Sequence, residues 1–288
     1  MSAARPPDWQ ADLDAFRARN RPQRRTIEGH MWEYICAGGG SAAVLILPGG
    51  LAVAETAFRY VARLAPHYRV LAPTYPDTIA TMGALVRGLA QLVRAERLAP
   101  AYVIGGSYSG LVAQCLVRHA PELVAALVLA DTGVPRAGRA FRLGLLRPLL
   151  ARLPLGLVRA LFYAGVGLFV TVLPAQRGFW WRYFRRRIAR MRRAEFLGHL
   201  DVWRDFDRAY CFGAGDLAGW PGRVLIVEAE RDGMFGPAER RALRQLYPAA
   251  QRHSFAHSTH GASLARMDDY IAVIEQFLRG ELSPGHTR

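Results

Sequence analysis

The chain has 288 residues, of which 51% are hydrophobic, so it can bury a large core and is not disordered throughout. All 38 basic residues are arginine and outweigh 23 acidic residues to give a net charge of +15; the absence of lysine excludes a phosphate-binding loop of the Walker type. The three cysteines, Cys36, Cys115 and Cys211, are odd in number and lack metal-ligand spacing, so we expect no disulfide framework, no metal site and no cofactor.

Residues 1–26 are polar, contain six arginines and lack the apolar stretch of a secretory signal. We expect this segment to be an N-terminal extension that begins a cytoplasmic protein. Cysteines that stay free also suit a reducing compartment.

Patterns typical of strands and helices alternate through residues 27–135 and again through residues 223–280, which we expect to form one core, followed by a tail at residues 281–288. The first two strands are expected to pair around the glycine-rich turn at residues 38–41, and Pro73 is expected to end the third strand. The predicted strands are residues 30–36, 44–47, 70–72, 101–104, 123–130, 224–227 and 252–255, and the predicted helices are residues 56–64, 78–97, 111–117, 237–246 and 268–278. Such alternation predicts an α/β fold with a mainly parallel, doubly wound sheet covered by helices on both faces.

Residues 136–222 break this alternation. They contain Pro148, Pro154 and Pro174 and an uncharged stretch at residues 160–176. That stretch is short for a membrane span, contains glycines and a proline, and lies between strands that must share one sheet. We therefore expect an inserted helical, arginine-rich cap, in which the uncharged stretch forms an apolar lid.

Most of the net charge lies in this cap, because residues 136–200 contain fourteen arginines and only one acidic residue. Apolar side chains recur there at helical spacing, at Trp181, Phe184, Ile188 and Met191, with most arginines off that stripe. This pattern predicts an amphipathic helix that packs on the core and exposes a basic face. An alternative role of that basic face is peripheral contact with an anionic membrane or with an acidic substrate. No nucleic-acid-binding motif accompanies the arginines, so we expect no nucleic-acid partner.

The segment at residues 105–110, Gly-Gly-Ser-Tyr-Ser-Gly, follows the predicted strand 101–104 and precedes a predicted helix. A serine on such a sharp strand-to-helix turn is a nucleophile elbow, in which the residues two before and two after the serine must be small. Gly105 and Ser109 meet that demand around Ser107, although Ser109 stands where glycine is usual. We predict Ser107 as a catalytic nucleophile, with an ordinary glycine-rich turn as the alternative.

A serine hydroxyl is a weak nucleophile at neutral pH and needs a base, which an acid in turn orients. Asp232 follows the strand at residues 224–227 and is the predicted acid, with Asp131 in reserve. The predicted base is His260, whose position ahead of the last helix favours it over His257 in the same loop. A zinc site built from the histidines of this region is disfavoured, because no acidic ligand lies nearby in sequence.

Negative charge that develops on a substrate oxygen needs preorganised backbone donors, an oxyanion hole. The N–H of Tyr108, the residue after the serine, is the first predicted donor. The second is expected in the glycine-containing turn at residues 47–51, where we assign Gly50, with Leu51 as the alternative. The alternative is that residues 47–51 form an ordinary turn between a strand and a helix and donate no hydrogen bond to the substrate.

The glycine-containing turn, the elbow, the late aspartate and the terminal histidine occur in this order along the chain. With this order, residues 27–280 apart from the cap resemble the α/β-hydrolase superfamily. The resemblance implies that Ser107 attacks a carbonyl carbon, that His260 relays the proton, and that Asp232 holds the imidazole while water completes turnover. It implies a carboxylic ester hydrolase that acts on a small-molecule ester, with a hydrophobic part of the substrate held beneath the cap.

A looser similarity to maspardin-like proteins rests on residues 47–48, 75–76 and 246–248. It implies an alternative function, that of a non-catalytic or weakly catalytic interaction protein that uses the basic cap as a binding surface. The presence of His260 favours the hydrolase.

Overall fold

The computed structural model describes residues 8–170, 172–282 and 286–287. The strands in this part of the chain are β1 (Gln23–Ile27), β2 (His30–Ala37), β3 (Ala43–Leu47), β4 (Arg69–Thr74), β5 (Ala101–Gly106), β6 (Val124–Ala130), β7 (Arg223–Ala229), β8 (Gln251–Phe255) and β9 (His286–Thr287). They form one sheet in the spatial order β1-β2-β4-β3-β5-β6-β7-β8-β9. β1 and β2 run antiparallel to their neighbours, and all the other pairs are parallel.

Helices cover both faces of this sheet. They are α1 (Trp9–Arg19), α2 (Phe58–Leu64), α3 (Met82–Ala95), α4 (Tyr108–His119), α5 (Ala137–Arg152), α6 (Leu155–Phe169), α7 (Pro174–Arg190), α8 (Arg193–Ala209), α9 (Pro237–Leu246), α10 (Ala262–Ala265) and α11 (Met267–Arg279). Alternate residues of β3 enter two different apolar clusters, Val44 with α2 and α11, and Leu45 with α3 and α4. Successive side chains of a strand point to opposite faces of the sheet, so these two clusters, and the helices that form them, lie on opposite faces. The predicted doubly wound α/β architecture is confirmed.

The predicted pairing of β2 with β3 is wrong, since β4 lies between them. The connecting glycines lie against the end of α2, where a Cβ on Gly38 or Gly40 would overlap the carbonyl oxygen of Tyr68 or His67. The chain therefore passes over α2 after β2 and does not reverse as a hairpin.

Pro73 does not end β4, which continues to Thr74. The pairing of β4 with β3 stops at Leu71, so Pro73 lies where β4 is paired on one side only. Such a position tolerates a proline, which has no N–H to donate.

The segment expected to be a polar extension contributes α1 and β1 to the fold. Trp9, Leu13 and Phe16 of α1 are buried in the cluster that also holds α2. On the solvent side, Arg17 pairs with Glu55 at 2.7 Å. The polar composition of residues 1–26 hides these three buried side chains, because they repeat at helical spacing within an otherwise charged helix.

The four helices α5 to α8 lie between β6 and β7, and we call residues 137–209 the insertion. Of the stripe predicted on α7 and the residue after it, Phe184, Ile188 and Met191 are buried, whereas Trp181 is half-buried. No helix in the described part of the chain is both long and apolar enough to cross a bilayer.

Leu13→Ala tests whether α1 is part of the core. Removal of this buried side chain should lower the free energy of unfolding by about 2–5 kcal/mol, because a cavity remains in its place. Leu149→Ala is the matched control: it makes the same change in a helix at a leucine that is 54% exposed, and it should cost no more than about 0.5 kcal/mol. Urea unfolding followed by tryptophan fluorescence measures both values. An equal, small effect of both substitutions would contradict the packing of α1.

Candidate active site

Ser107 lies at the single position between β5 and α4, with φ 53° and ψ −125°. A residue with a side chain rarely holds a positive φ, and the cost is about 1–3 kcal/mol. Two hydrogen bonds from the end of β6 hold the turn: the Ser107 N–H donates to the Ala130 oxygen at 2.8 Å, and Thr132 Oγ1 donates to the Ser107 oxygen at 2.7 Å. The turn therefore presents the side chain of Ser107 at the carboxyl end of the sheet.

The neighbouring glycines are required by close contacts. A Cβ on Gly105 would lie 2.5 Å from the Ser109 carbonyl oxygen, and one on Gly110 would lie 2.5 Å from the side chain of Thr132. Both distances are far shorter than a carbon atom tolerates. The sequence Gly105-Gly106-Ser107-Tyr108-Ser109-Gly110 thus has the geometry expected of an elbow.

Ser109, which replaces the usual glycine, is fully buried and makes contacts that the sequence did not indicate. Its hydroxyl donates to the Pro48 carbonyl oxygen, and Tyr75 Oη lies 3.0 Å from its Oγ. Burial raises the pKa of Tyr75, so the phenol stays protonated. Because the Ser109 hydroxyl hydrogen is directed at Pro48, the Tyr75 hydroxyl donates the hydrogen bond to Ser109 Oγ. This relay of two hydroxyl groups ties the first turn of α4 to the turn after β3.

The structure brings Ser107, His260 and Asp232 together. Ser107 Oγ lies 2.8 Å from His260 Nε2, and His260 Nδ1 lies 2.9 Å from Asp232 Oδ2. An ionised carboxylate only accepts hydrogen bonds, so the proton of a neutral His260 sits on Nδ1 and leaves Nε2 to accept the Ser107 hydroxyl.

Asp232 and His260 are held in place by the loops after β7 and β8. Asp232 Oδ1 accepts the N–H groups of Met234 and Phe235 at 2.8 and 3.0 Å, which leaves Oδ2 for the imidazole. Both Asp232 and His260 are buried. The ring of Phe235 lies 5.6 Å from that of His260, so the imidazole has an apolar neighbour on the Asp232 side.

The reserve base, His257, is not near Ser107. Its side chain is 76% exposed, and its Nδ1 lies 3.0 Å from the guanidinium of Arg231. No cluster of three or more His, Cys, Asp or Glu side chains able to hold a metal ion is found in residues 8–170, 172–282 and 286–287.

The reserve acid, Asp131, is buried beside the site but does not bind His260. Its Oδ1 accepts the Ala229 N–H at 2.8 Å, and its Oδ2 accepts the Tyr270 hydroxyl at 2.8 Å. Burial raises the pKa of Asp131 from 3.8 to about 7, and the neighbouring Asp232 adds to this effect, against the influence of His260. The carboxyl group of Asp131, between the ends of β6 and β7, is therefore partly protonated at neutral pH.

The predicted oxyanion donors lie on the elbow and on the turn after β3. Tyr108 is the first residue of α4, where backbone N–H groups have no acceptor within the helix. Gly50 is exposed and Leu51 is buried, and the Leu51 oxygen accepts from Arg187 of the insertion at 3.3 Å. The roles of Gly50, Leu51 and Tyr108 as donors stay predictions.

The insertion contacts the elbow through α8, where His199 stacks on the ring of Tyr108 with centroids 3.7 Å apart. Sequence reasoning missed His199, because a lone histidine in an amphipathic helix carries no recognisable pattern. Desolvation lowers the pKa of His199 to about 4, so the imidazole is neutral at pH 7. A cleft of about 30 Å³ opens here, and its lining combines apolar residues such as Ile79 and Val202 with the charged Asp77, Arg187 and Glu195.

Asp131→Asn tests the raised pKa of Asp131. A carboxyl whose pKa is higher in the folded than in the unfolded chain makes the protein less stable as pH rises from about 4 to about 7. Asparagine resembles the protonated carboxyl and does not titrate. The free energy of unfolding of Asp131→Asn relative to the wild type should therefore increase as pH rises from about 5 to about 8, by an amount on the order of a few kcal/mol. Urea unfolding at the two pH values measures the gain; the same difference at both would show that Asp131 titrates normally.

The comparisons with known proteins identify the fold family of the chain. The family model described as the alpha/beta hydrolase fold matches residues 42–265, which is most of the chain. A hydrolase from Pseudomonas aeruginosa PA01 superposes with a TM-score of 0.73 at 19% identity, over 90% of this chain and 98% of that chain. The enol-lactonase from Burkholderia xenovorans LB400 gives a TM-score of 0.73 at 17% identity, over 89% of this chain and 100% of that chain.

A meta-cleavage product hydrolase from Pseudomonas fluorescens IP01 gives a TM-score of 0.70 at 18% identity, over 90% of this chain and 98% of that chain. No curated protein matches the sequence. The looser similarity to maspardin-like proteins stays a prediction. Because the matched family model spans β3 to β8, which is more than half of the chain, the chain belongs to the α/β-hydrolase fold family.

Proposed function

We propose that the protein is a serine hydrolase that cleaves a small-molecule carboxylic ester through an acyl-enzyme on Ser107. The observation that carries this proposal is the unbroken chain of hydrogen bonds from Ser107 Oγ through His260 to Asp232. The likeness to an enol-lactonase supports an ester as the bond attacked, because a lactone is a cyclic ester.

In the first half of the reaction, Ser107 Oγ attacks the carbonyl carbon of the ester and His260 Nε2 takes the hydroxyl proton. The carbonyl oxygen becomes negative and is stabilised by the N–H groups of Tyr108 and Gly50. Asp232 stabilises the imidazolium through Nδ1. His260 then gives its proton to the leaving alcohol, and the acyl group stays on Ser107.

In the second half, water takes the place of the alcohol. His260 accepts a proton from the water as its oxygen attacks the acyl carbon, and the same oxyanion donors stabilise the new negative charge. Collapse of this intermediate releases the carboxylic acid, and the proton returns from His260 to Ser107. The cycle needs no cofactor to balance.

The insertion serves as a cap over this site in our proposal. The stacking of His199 on Tyr108 and the hydrogen bond from Arg187 to Leu51 bring its helices against the two segments that carry the oxyanion donors.

The small volume of the cleft favours a second candidate, an interaction protein on a hydrolase frame. With about 30 Å³, this cleft has room for only about two water molecules, and neither Ser107 nor His260 is among its lining residues. The two candidates differ in one property: only the enzyme has a reactive Ser107.

Ser107→Ala and His260→Ala test the proposed machinery, with His257→Ala as the matched control. Both active-site variants should lose labelling by a fluorophosphonate probe and at least about a thousandfold in kcat for p-nitrophenyl esters, since the three groups act as a unit. His257→Ala removes a histidine of the same loop that points to solvent, so labelling and kcat should stay within about twofold of the wild type.

Labelling that persists in Ser107→Ala, or an equal loss in His257→Ala, would contradict these roles. A folded wild type that neither labels nor hydrolyses any ester would instead support the interaction protein. Thermal unfolding of each variant separates a chemical loss from a folding defect.

Ser109→Gly tests the hydroxyl relay. It restores the residue usual in an elbow but removes the bond to Pro48, so the turn that carries Gly50 loses its tie to α4. We expect kcat to fall about tenfold with little change in KM, because oxyanion donors act mainly in the transition state. Tyr75→Phe, which leaves Ser109 bound to Pro48, should have a smaller effect. An unchanged kcat in Ser109→Gly would show that the relay does not position the oxyanion turn.

A further inference from the structure

The large exposed apolar side chains of this protein are concentrated in one place. Of those identified in the described part of the chain, only Met31 lies outside the insertion and the short loop between α6 and α7. The others are Phe141, Leu145, Leu146, Leu149, Leu157, Leu161, Leu168 and Leu173. Single exposed leucines are common, but a group of them within one substructure marks an interaction surface.

Helix α5 directs two arginines, Arg139 and Arg147, towards α8 and leaves a stripe of apolar side chains exposed. Facing α8, Arg139 is paired with Asp207 at 2.6 Å and Arg147 with Asp201 at 3.1 Å. The helix buries a single side chain, that of Ala140. On the opposite side, the exposed Phe141, Leu145 and Leu149 follow each other at intervals of four residues and therefore form one stripe.

Helix α6 continues this arrangement. Its one charged side chain, Arg159, is turned inward and donates to the Met191 oxygen at 2.8 Å. Leu157, Leu161 and Leu168 are spaced by four and seven residues on its outer side, where Leu168 is 76% exposed. The inward-facing arginines, Arg139 and Arg147 of α5 and Arg159 of α6, thus have partners within the chain, whereas the leucines on the outer sides are left in water.

The same substructure carries most of the positive charge. Residues 137–209 contain fifteen arginines and four acidic residues. Eight exposed arginines of this insertion have no carboxylate within ion-pair distance among the residues that the structure describes: Arg142, Arg152, Arg177, Arg182, Arg185, Arg186, Arg190 and Arg208. Their charges are not neutralised within the chain.

We propose that the insertion docks the protein on an anionic lipid bilayer, with the α5 and α6 stripes at the boundary of the acyl chains and the free arginines at the headgroup phosphates. Amphipathic helices that combine a Leu and Phe face with arginines bind membrane surfaces in this way, and arginines near the surface are attracted to anionic headgroups. A second copy of the chain is a poor occupant, because two strongly basic insertions would repel each other. The proposal goes beyond ester hydrolysis and does not depend on it.

Flotation with vesicles tests this docking on the whole protein. Wild type should float with vesicles of phosphatidylcholine that contain about 30% phosphatidylglycerol and should bind pure phosphatidylcholine at least about tenfold more weakly. Raising NaCl from about 0.1 M to about 1 M shortens the Debye length from about 10 Å to about 3 Å and should release the protein from the anionic vesicles.

Two sets of variants separate the apolar from the electrostatic contribution. The combined Phe141→Ser, Leu145→Ser and Leu161→Ser variant should bind anionic vesicles about tenfold or more weakly, whereas Met31→Ser, at the exposed apolar side chain on β2, should bind like wild type. The combined Arg182→Glu and Arg185→Glu variant should lose binding, whereas Arg21→Glu with Arg241→Glu makes the same charge change elsewhere and should lose far less. All the substituted side chains are exposed, and none belongs to the proposed catalytic machinery.

Several results would overturn the proposal: no binding to anionic vesicles at low salt, equal binding to both kinds of vesicle, or equal losses in the insertion variants and their controls. A dimer in solution that dissociates when Phe141 and Leu145 become serine would show that a second copy covers this surface. Turnover of a soluble ester, measured in parallel, should stay unchanged in all these variants. Loss of membrane binding with retained turnover would therefore be distinguishable from failure of the hydrolase.

Discussion

The backbone of Ser107 is held in a conformation that a serine rarely adopts, and the geometry of the site depends on the contacts that keep it there. A positive φ costs about 1–3 kcal/mol, and each hydrogen bond to the turn returns about 0.5–1.5 kcal/mol. The bonds to Ala130 and Thr132 therefore offset much of the strain. Both come from the end of β6, so the neighbouring parallel strand is what positions the nucleophile.

Parallel pairing also explains why distant residues meet. β5, β6, β7 and β8 are adjacent and end at the same edge of the sheet, so the loops that follow them converge there. Ser107 follows β5, Asp232 follows β7 and His260 follows β8, although 153 residues separate the serine from the histidine. The insertion between β6 and β7 leaves this edge intact because β6 and β7 still pair directly.

The strand-helix alternation and the order of serine, aspartate and histidine could be predicted because each depends on local sequence. Apolar runs identify β5, β6 and β7, and the small residues around Ser107 identify the turn. The relative positions of β2, β3 and β4 could not be predicted, since strand order depends on contacts between segments distant in sequence. For the same reason Ser109 was recognised only as a departure from the usual glycine, and its bond to Pro48 was not foreseen.

The insertion shows a different limit of sequence reasoning. Its amphipathic pattern is visible in the sequence, but which side of each helix is buried is decided by Asp201 and Asp207 on α8, which draw the arginines of α5 inward. Of these two ion pairs, Arg139–Asp207 is buried, and breaking a buried pair is strongly destabilising, so the leucines stay on the outside. The insertion thus presents the exposed apolar surface on its outer side and contacts Tyr108 of the candidate site through His199.

The acyl-enzyme itself is the most direct measurement of the central claim. Wild-type protein mixed with a p-nitrophenyl ester and quenched in acid within the first turnover should gain the mass of one acyl group, and peptide mapping should place that group on Ser107. Turnover of the ester without an adduct, or with the adduct on another residue, would contradict the account.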